Sequence, residues 1–121
     1  MRDDEIIRMI KKCSRCGMCK SACPVYSVVL KETVSPRGLV ILANKNQINN
    51  IFLMCTLCKA CDFRCPAGVK PSEIVLWMRE KLVNVGDESK GAKKMMENIR
   101  KYGNPYGEVK KGSVPDELYC C

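Results

Sequence analysis

Eight cysteines of the chain stand in two copies of one spacing pattern, and their type and spacing indicate iron-sulfur chemistry. The first cysteine run is Cys13-x2-Cys16-x2-Cys19-x3-Cys23-Pro24, and the second is Cys55-x2-Cys58-x2-Cys61-x3-Cys65-Pro66. Three cysteines spaced in this way can wrap a short loop around three corners of an iron-sulfur cube, and a fourth thiolate must come from elsewhere. The two runs therefore predict two 4Fe-4S clusters.

The fourth cysteine of each run is expected to cross to the other cluster, as it does in two-cluster proteins with this spacing. The predicted ligands of one cluster are Cys13, Cys16, Cys19 and Cys65. The predicted ligands of the other are Cys55, Cys58, Cys61 and Cys23. The following prolines, Pro24 and Pro66, keep the fourth cysteines out of a helix and would aim them away from their own loops, although they also suit a plain turn.

Three other uses of paired cysteines fit this pattern less well. A zinc site takes four ligands from two pairs, so the third and fourth cysteines of each run would be redundant. A disulfide framework belongs to an oxidising compartment, yet the chain opens Met1-Arg2-Asp3-Asp4-Glu5, unlike a secretory signal. Thioredoxin-type chemistry needs one active pair. Thiolate ligands without a targeting signal predict a reducing cytoplasm.

The composition indicates one moderately basic domain. The 121 residues are 46% apolar, and 21 Lys and Arg against 13 Asp and Glu give a formal charge of +8. Two oxidised clusters with eight thiolates would lower this to about +4. The excess is either a solvated helix surface or a docking surface for an acidic partner protein. Its residues are Lys11, Lys12, Arg15, Lys20, Lys90, Lys93, Lys94, Arg100, Lys101, Lys110 and Lys111.

Several classes of function are disfavoured by what the sequence lacks. The chain has no histidine, which removes Rieske-type ligation and the commonest general base. It has no glycine-rich nucleotide loop, and no aromatic residues alternate with its lysines as in nucleic-acid-binding surfaces. No apolar segment reaches the roughly 20 residues that span a bilayer. Catalysis by this chain alone is therefore not expected.

The pattern of the remaining residues predicts an all-α domain. Asp3 or Asp4 can cap a first helix, and Ser35-Pro36 can start another that runs to about Asn44. A short helix over Ile51 to Leu57 would deliver Cys55 and Cys58. The only β-like stretch, Val25 to Leu30, could equally flank a helix.

Two further helices are predicted after the second cysteine run. Pro71 starts one that carries Ile74, Trp77, Met78 and Leu82 as core residues and ends at Gly86. Asp87 caps the other, which ends at Gly103 and whose apolar residues, also expected in the core, are Met95, Met96, Ile99 and Tyr102. We predict a domain over residues 1–103 and a loop-like tail over 104–121. The tail ends in Cys120-Cys121, which either are unstructured, begin a further cysteine-rich module, or contact a partner.

The chain resembles the helical ferredoxin modules of heterodisulfide reductases, found in their C-type iron-sulfur subunits and in the N-terminal part of their D-type subunits. Related modules occur in the iron-sulfur subunits of glycolate oxidase, anaerobic glycerol-3-phosphate dehydrogenase and succinate dehydrogenase or fumarate reductase. The resemblance rests on both cysteine runs and on three other segments. These are Ser35-Pro36-Arg37-Gly38, Cys65-Pro66-Ala67-Gly68-Val69 and Gly103-Asn104-Pro105-Tyr106-Gly107.

The resemblance implies a cytoplasmic electron-transfer subunit of an anaerobic hetero-oligomeric oxidoreductase. Such a subunit passes single electrons between a flavoprotein or ferredoxin and a catalytic subunit with cysteine-rich CCG motifs. Those motifs are absent here, unless Cys120-Cys121 begins one. Two alternatives stay open: the N-terminal part of a CCG-containing heterodisulfide or 2-hydroxyacid oxidoreductase, or a structural iron-sulfur adaptor.

Overall fold

The computed structural model describes residues 2–115 of the chain. Within them the regular elements are helical and no strand occurs, so the predicted all-α class is confirmed. The α-helices are α1 (Arg2–Lys12), α2 (Pro24–Val29), α3 (Pro36–Asn44), α4 (Ala60–Arg64), α5 (Pro71–Asn84) and α6 (Lys90–Tyr102). Three 3-10 helices, Lys20–Ala22, Glu32–Val34 and Asn50–Met54, lie between them.

The described residues form two compact units, which divide between Asp87 and Glu88. In the first unit, α1, α3 and α5 pack against one another and enclose the hydrophobic core. The buried core residues are Ile6, Ile10, Leu39, Val40, Ala43, Phe52, Val69, Ile74, Val75, Trp77 and Met78. Both cysteine runs lie in this unit, so a packed three-helix core supports the loops that carry them.

The start of α3 follows the predicted capping pattern. Ser35 Oγ accepts a hydrogen bond from the Gly38 N–H at 2.9 Å, and Pro36 takes the first helical position, where a missing N–H costs nothing. Ser35 Oγ also donates to the Glu32 carbonyl oxygen at 2.7 Å. A Cβ on Gly38 would overlap that same carbonyl oxygen, so the close approach of the 3-10 helix Glu32–Val34 to α3 requires glycine.

Helix α5 also begins at Pro71 as predicted, and it buries Ile74, Trp77, Met78 and Leu82. The Trp77 indole N–H donates to Asp3 Oδ1 at 2.7 Å, which joins α5 to α1. The prediction that Asp3 or Asp4 caps α1 is wrong, because the helix already includes Arg2 and both residues lie in its first turn. The Asp3 carboxylate instead satisfies a buried indole N–H.

The predicted helix over Ile51 to Leu57 is wrong in its type and its end. A 3-10 helix ends at Met54, and Cys55 has extended backbone angles. The Asn49 side chain accepts a hydrogen bond from the Ile51 N–H at 3.1 Å and starts this shorter element. The backbone then turns sharply, because Leu57 adopts a positive φ of 56°.

The second unit differs from the prediction at both its cap and its apolar side. Ser89, not Asp87, caps α6, and its Oγ accepts from the Ala92 N–H at 3.2 Å. The helix ends at Gly103 as predicted. Of the four expected core residues Met95 is half-buried, and the others are exposed, by 51% at Met96, 47% at Ile99 and 42% at Tyr102.

The buried residue of α6 is instead Asn98. Its side-chain amide donates to the Pro105 carbonyl oxygen at 2.9 Å, so this hydrogen bond joins residues 103–107 to the helix. Residues 103–115 form turns and irregular chain. The division into a domain over 1–103 and a tail over 104–121 stays a prediction, and Cys120 and Cys121 lie outside the described residues.

Candidate metal centre

The eight cysteines of the two runs surround two cavities in two groups of four. Cavity A is lined by four cysteines: Cys13, Cys16, Cys19 and Cys65. Cavity B is lined by the other four: Cys55, Cys58, Cys61 and Cys23. Each cavity thus receives three cysteines from one run and the fourth cysteine of the other run. The crossed assignment of cluster ligands, which groups the cysteines in the same way, stays a prediction.

The two loops share an uncommon backbone shape. In the first run Arg15 and Gly17 have φ of 60° and 81°, and in the second Leu57 and Lys59, each 42 positions later, have φ of 56° and 62°. A left-handed conformation is costly for residues other than glycine, so its repetition at matching positions marks a functional constraint. Alternation of right- and left-handed residues makes backbone N–H groups converge into a concavity suited to anions and iron-sulfur clusters.

Backbone N–H groups donate to three of the cysteine sulfurs in a way that would favour their thiolate form. The Leu57 N–H lies 3.4 Å from Cys55 Sγ, and the Val69 N–H lies 3.3 Å from Cys65 Sγ. The N–H of Tyr26 lies 3.4 Å from the sulfur of the residue that caps α2, Cys23. These donors would stabilise cluster-bound sulfur, which carries negative charge.

An ion-paired arginine, Arg37, borders cavity A. It belongs to the segment Ser35-Pro36-Arg37-Gly38, but the sequence did not indicate its role. Arg37 Nη1 donates to the Arg15 carbonyl oxygen at 3.2 Å and so holds the first loop. Its Nε donates to Glu32 Oε1 at 2.7 Å, and Lys20 Nζ pairs with Glu32 Oε2 at 2.6 Å. The two cations lower the pKa of Glu32 to about 2, so this carboxylate stays ionised at neutral pH.

Gly17 leaves the space that the Arg37 guanidinium occupies. A Cβ at Gly17 would lie 2.9 Å from Arg37 Nη1, closer than real Cβ atoms approach other atoms. The residue also has a positive φ, so glycine is favoured there for both its backbone and its size.

Cavity B has its own arginine clamp, which the sequence analysis did not identify. Arg79 in α5 donates to three carbonyl oxygens of the backbone that leads into the second cysteine run. Its Nε lies 2.9 Å from the Phe52 carbonyl oxygen, and its Nη2 lies 3.3 Å and 2.5 Å from those of Leu53 and Cys55. These contacts span 24 to 27 positions, so no local pattern could have revealed them.

Asp62 fixes the helix that carries Cys61. Its carboxylate accepts from the Ser72 N–H at 3.1 Å and from Ser72 Oγ at 2.5 Å, which ties α4 to the start of α5. Asp62 Oδ1 also lies 3.7 Å from Cys61 Sγ. Burial, and then the Asp62 charge, raise the pKa of the Cys61 thiol to about 12.

The remaining thiols differ in their local environment. The Met18 backbone N–H lowers the pKa of the exposed Cys16 thiol. Burial raises the pKa of Cys19 and Cys55. Since thiolates bind iron, a cationic cluster core must offset this burial cost for the buried ligands.

The four-sulfur lining of each cavity fits a 4Fe-4S cluster. Among residues 2–115 no three Cys, Asp or Glu side chains converge on a point, as ligands of a single metal ion would. The four cysteine side chains of each group stand instead around a cavity, and backbone N–H groups are directed at some of their sulfurs. The donor set and its spread therefore suit a polynuclear cluster.

The two cavities are neighbours. Pro71 at the start of α5 lines both of them. Cys19 of cavity A lies near enough to Cys61 of cavity B to raise its pKa as a like charge. At the start of α3, Pro36 lines cavity B and Arg37 lines cavity A. The first turns of α3 and α5 therefore form a shared wall.

Four cations inside or beside the cysteine loops, Arg15, Lys20, Lys59 and Arg64, have different positions relative to the cavities. Arg15 lines cavity A and Lys59 lines cavity B. Lys20 pairs with Glu32 and lies 4.8 Å from the centre of the Tyr26 ring. Arg64 ends α4 and lines neither cavity.

Among the described helices, none is both long and apolar enough to cross a membrane.

Comparison with known proteins confirms the predicted resemblance. The chain is 26% identical over 102 residues to the C 2 iron-sulfur subunit of the CoB–CoM heterodisulfide reductase of Methanocaldococcus jannaschii, covering 84% of this chain and 55% of that protein. It is 30% identical over 81 residues to the C-type subunit of the ferredoxin:CoB–CoM heterodisulfide reductase of Methanosarcina acetivorans, covering 64% and 32%. A Bacillus subtilis protein named as a probable glycolate oxidase iron-sulfur subunit is 33% identical over 73 residues, covering 52% and 16%.

The chain thus spans about half the length, or less, of these curated relatives. The family model described as the 4Fe-4S dicluster domain matches residues 9–69, which include both cysteine runs. The prediction of two 4Fe-4S clusters is confirmed by this match. The chain belongs to the 4Fe-4S dicluster domain family, as a homologue of the C-type iron-sulfur subunits of heterodisulfide reductases.

Proposed function

We propose that this chain is an electron-transfer subunit that relays single electrons through two 4Fe-4S clusters. Cluster A is held by Cys13, Cys16, Cys19 and Cys65. Cluster B is held by Cys55, Cys58, Cys61 and Cys23. The observation that carries the proposal is the pair of adjacent cavities, each lined by three cysteines of one run and the fourth cysteine of the other.

The role of the chain in this relay is to hold, space and tune its cofactors. A 4Fe-4S cluster, when bound, supplies a site that accepts and releases one electron. The crossed cysteines, Cys23 and Cys65, tie each loop to the cluster of the other, so the two loops cannot separate while both clusters are bound. The left-handed turns present N–H groups to the sulfurs, and the clamps of Arg37 and Arg79 fix the loops from outside.

The partners are inferred from the relatives. Two of those described above are named as C-type subunits of heterodisulfide reductases, one with ferredoxin in its name. We therefore assign this chain to a hetero-oligomer in which it transfers electrons between a flavoprotein or ferredoxin and a catalytic subunit of CCG type. The reduced thiol chemistry of the site supports a cytoplasmic location.

A second candidate function is favoured by the small share of some relatives' length that this chain matches. The chain matches only 16% of the glycolate oxidase protein and 19% of an Escherichia coli electron transport protein, so its module also occurs inside much longer proteins. In that case it forms the front part of a CCG-containing oxidoreductase. Detection of a native polypeptide longer than 121 residues would favour this candidate over the separate subunit.

The relay is tested by an anaerobic reductive titration followed by electron paramagnetic resonance, together with iron and sulfide analysis. We expect about eight irons and eight sulfides per chain and a spin-coupled signal once both clusters are reduced. Clusters that stay oxidised at the potentials of low-potential ferredoxins would contradict the relay and favour a structural adaptor. Zinc in place of iron would overturn both.

A further inference from the structure

We propose that Arg37 raises the reduction potential of cluster A above that of cluster B, so that cluster A holds the first electron that enters the pair. This inference rests on the proposed two-cluster relay and adds an order of filling to it. Arg37 is a positioning and tuning residue in this account, since its side chain contacts the loop that carries three cluster ligands and not a substrate.

The Arg37 side chain brings a fixed positive charge to the wall of cavity A. Its guanidinium donates to the Arg15 carbonyl oxygen and fills the space that Gly17 leaves free. Arg37 Nε also donates to Glu32 Oε1 at 2.7 Å, a bond that the amide oxygen of a glutamine could accept as well. Positive charge near a cluster favours the reduced form, which carries one more negative charge.

The backbone at the start of α3 adds a second asymmetry. Arg37 lines cavity A and has a backbone N–H in the first turn of α3, where such groups have no intrahelical partner. The preceding residue, Pro36, lines cavity B and has no N–H to donate. The amino-terminal turn of this nine-residue helix therefore places a backbone N–H beside cavity A, whereas Pro36 offers none to cavity B.

The net charge around the two cavities points the same way. Glu32 is shared by two cations, Arg37 and Lys20, so this group of three side chains keeps one positive charge beside cavity A. Arg15, which also lines cavity A, adds a second positive charge. At cavity B the cations Lys59 and Arg79 are opposed by Asp62, whose carboxylate lies 3.7 Å from Cys61 Sγ, so one positive charge is left there. A carboxylate against a cluster ligand disfavours reduction of that cluster.

The test is a redox titration followed by electron paramagnetic resonance on the full chain with both clusters bound. Arg37→Gln should lower the higher of the two midpoint potentials. At the wild-type midpoint we expect the ratio of reduced to oxidised cluster to fall about tenfold, which is about 59 mV for one electron. Glu32→Gln should shift the same midpoint upward, because it removes the opposing negative charge.

Arg8→Gln is the matched control, since it removes one positive charge from α1 at a side chain that lines neither cavity A nor cavity B. Its midpoints should equal those of the wild type. If Arg37→Gln does not retain iron, the proposal is tested by the upward shift of the midpoint potential in Glu32→Gln.

Three results would overturn the inference. Unchanged midpoints in the charge variants with eight irons bound would leave the relay intact and remove the role of Arg37. A shift confined to the lower midpoint would reverse the proposed order of filling. A wild-type protein whose clusters cannot be reduced would remove the relay itself, and this inference with it.

Discussion

Arg79 holds the entrance to the second cysteine run, so its removal should release one cluster before the other. Its guanidinium binds three carbonyl oxygens, of Phe52, Leu53 and Cys55. The bonds to Phe52 and Cys55 are part-buried, and that to Leu53 is long and exposed. Arg79→Met keeps an unbranched apolar stem of comparable length and removes all three bonds.

The expected cost follows from the two part-buried bonds. A hydrogen bond to a charged group contributes about 1.5 to 3 kcal/mol, so losing two costs at least about 3 kcal/mol in the stability of the loop. Every 1.4 kcal/mol is a factor of ten in an equilibrium. Opening of the cluster B loop should therefore become roughly 100-fold more favourable in Arg79→Met.

The assay is the loss of iron to a chelator under anaerobic conditions. In Arg79→Met about four irons should leave well ahead of the other four, because cavity A retains its own clamp. Arg79→Lys should be intermediate, since lysine keeps the charge but lacks the planar fork. Arg8→Gln should behave as wild type. If Arg79→Met released all its iron at the wild-type rate, the clamp would have no role in holding the cluster.

Three further predictions concern the helices around the site. Gly38→Ala should lower the free energy of unfolding by about 1 to 3 kcal/mol or more, because the added Cβ overlaps the Glu32 carbonyl oxygen. Gly91→Ala in α6 is the control, since its Cβ would lie in open space and should not destabilise the protein. The unfolding temperatures of the two variants are compared with that of the wild type. Trp77→Phe should cost about 1.5 to 3 kcal/mol in chemical denaturation by removing the 2.7 Å bond to Asp3, and an unchanged midpoint would show that the bond is dispensable. The folded-state pKa of Glu32 is about 2, below its ordinary 4.5, so its stabilising contribution is complete above about pH 4.5 and is lost as the pH falls toward 2. The difference in unfolding temperature between wild type and Glu32→Gln should therefore narrow on acidification, and a constant difference would contradict the ion pairs.

Local chemistry explains which parts of the fold could be predicted from the sequence. The cap and the proline at Ser35-Pro36 act on residues a few positions away, and the start of α3 follows from them. The apolar spacing of α5 is similarly local, and its predicted residues are buried. The pairing of each fourth cysteine with the opposite cluster stays a prediction from a spacing rule, and the same grouping of thiols lines the two cavities.

The parts that the sequence did not predict depend on distant contacts or on competing hydrogen bonds. Arg79 joins residues more than 20 positions away, and Arg37 reaches back 22 positions to Arg15. The apolar residues of α6 suggested a core, but Asn98 took the buried position by binding Pro105. The left-handed turns at Leu57 and Lys59 had one available signal, since Gly17 stands at the matching position in the first run.

The most direct test of the central account is the number of intact clusters in two double variants that share one substitution. Under crossed ligation, Cys23→Ala with Cys61→Ala removes two ligands from cluster B alone, whereas Cys61→Ala with Cys65→Ala removes one ligand from each cluster. Mössbauer spectroscopy with iron and sulfide analysis should therefore find one intact 4Fe-4S cluster in the first variant and none in the second. The reverse pattern would contradict the account, because it would mean that each run binds its own cluster with all four cysteines.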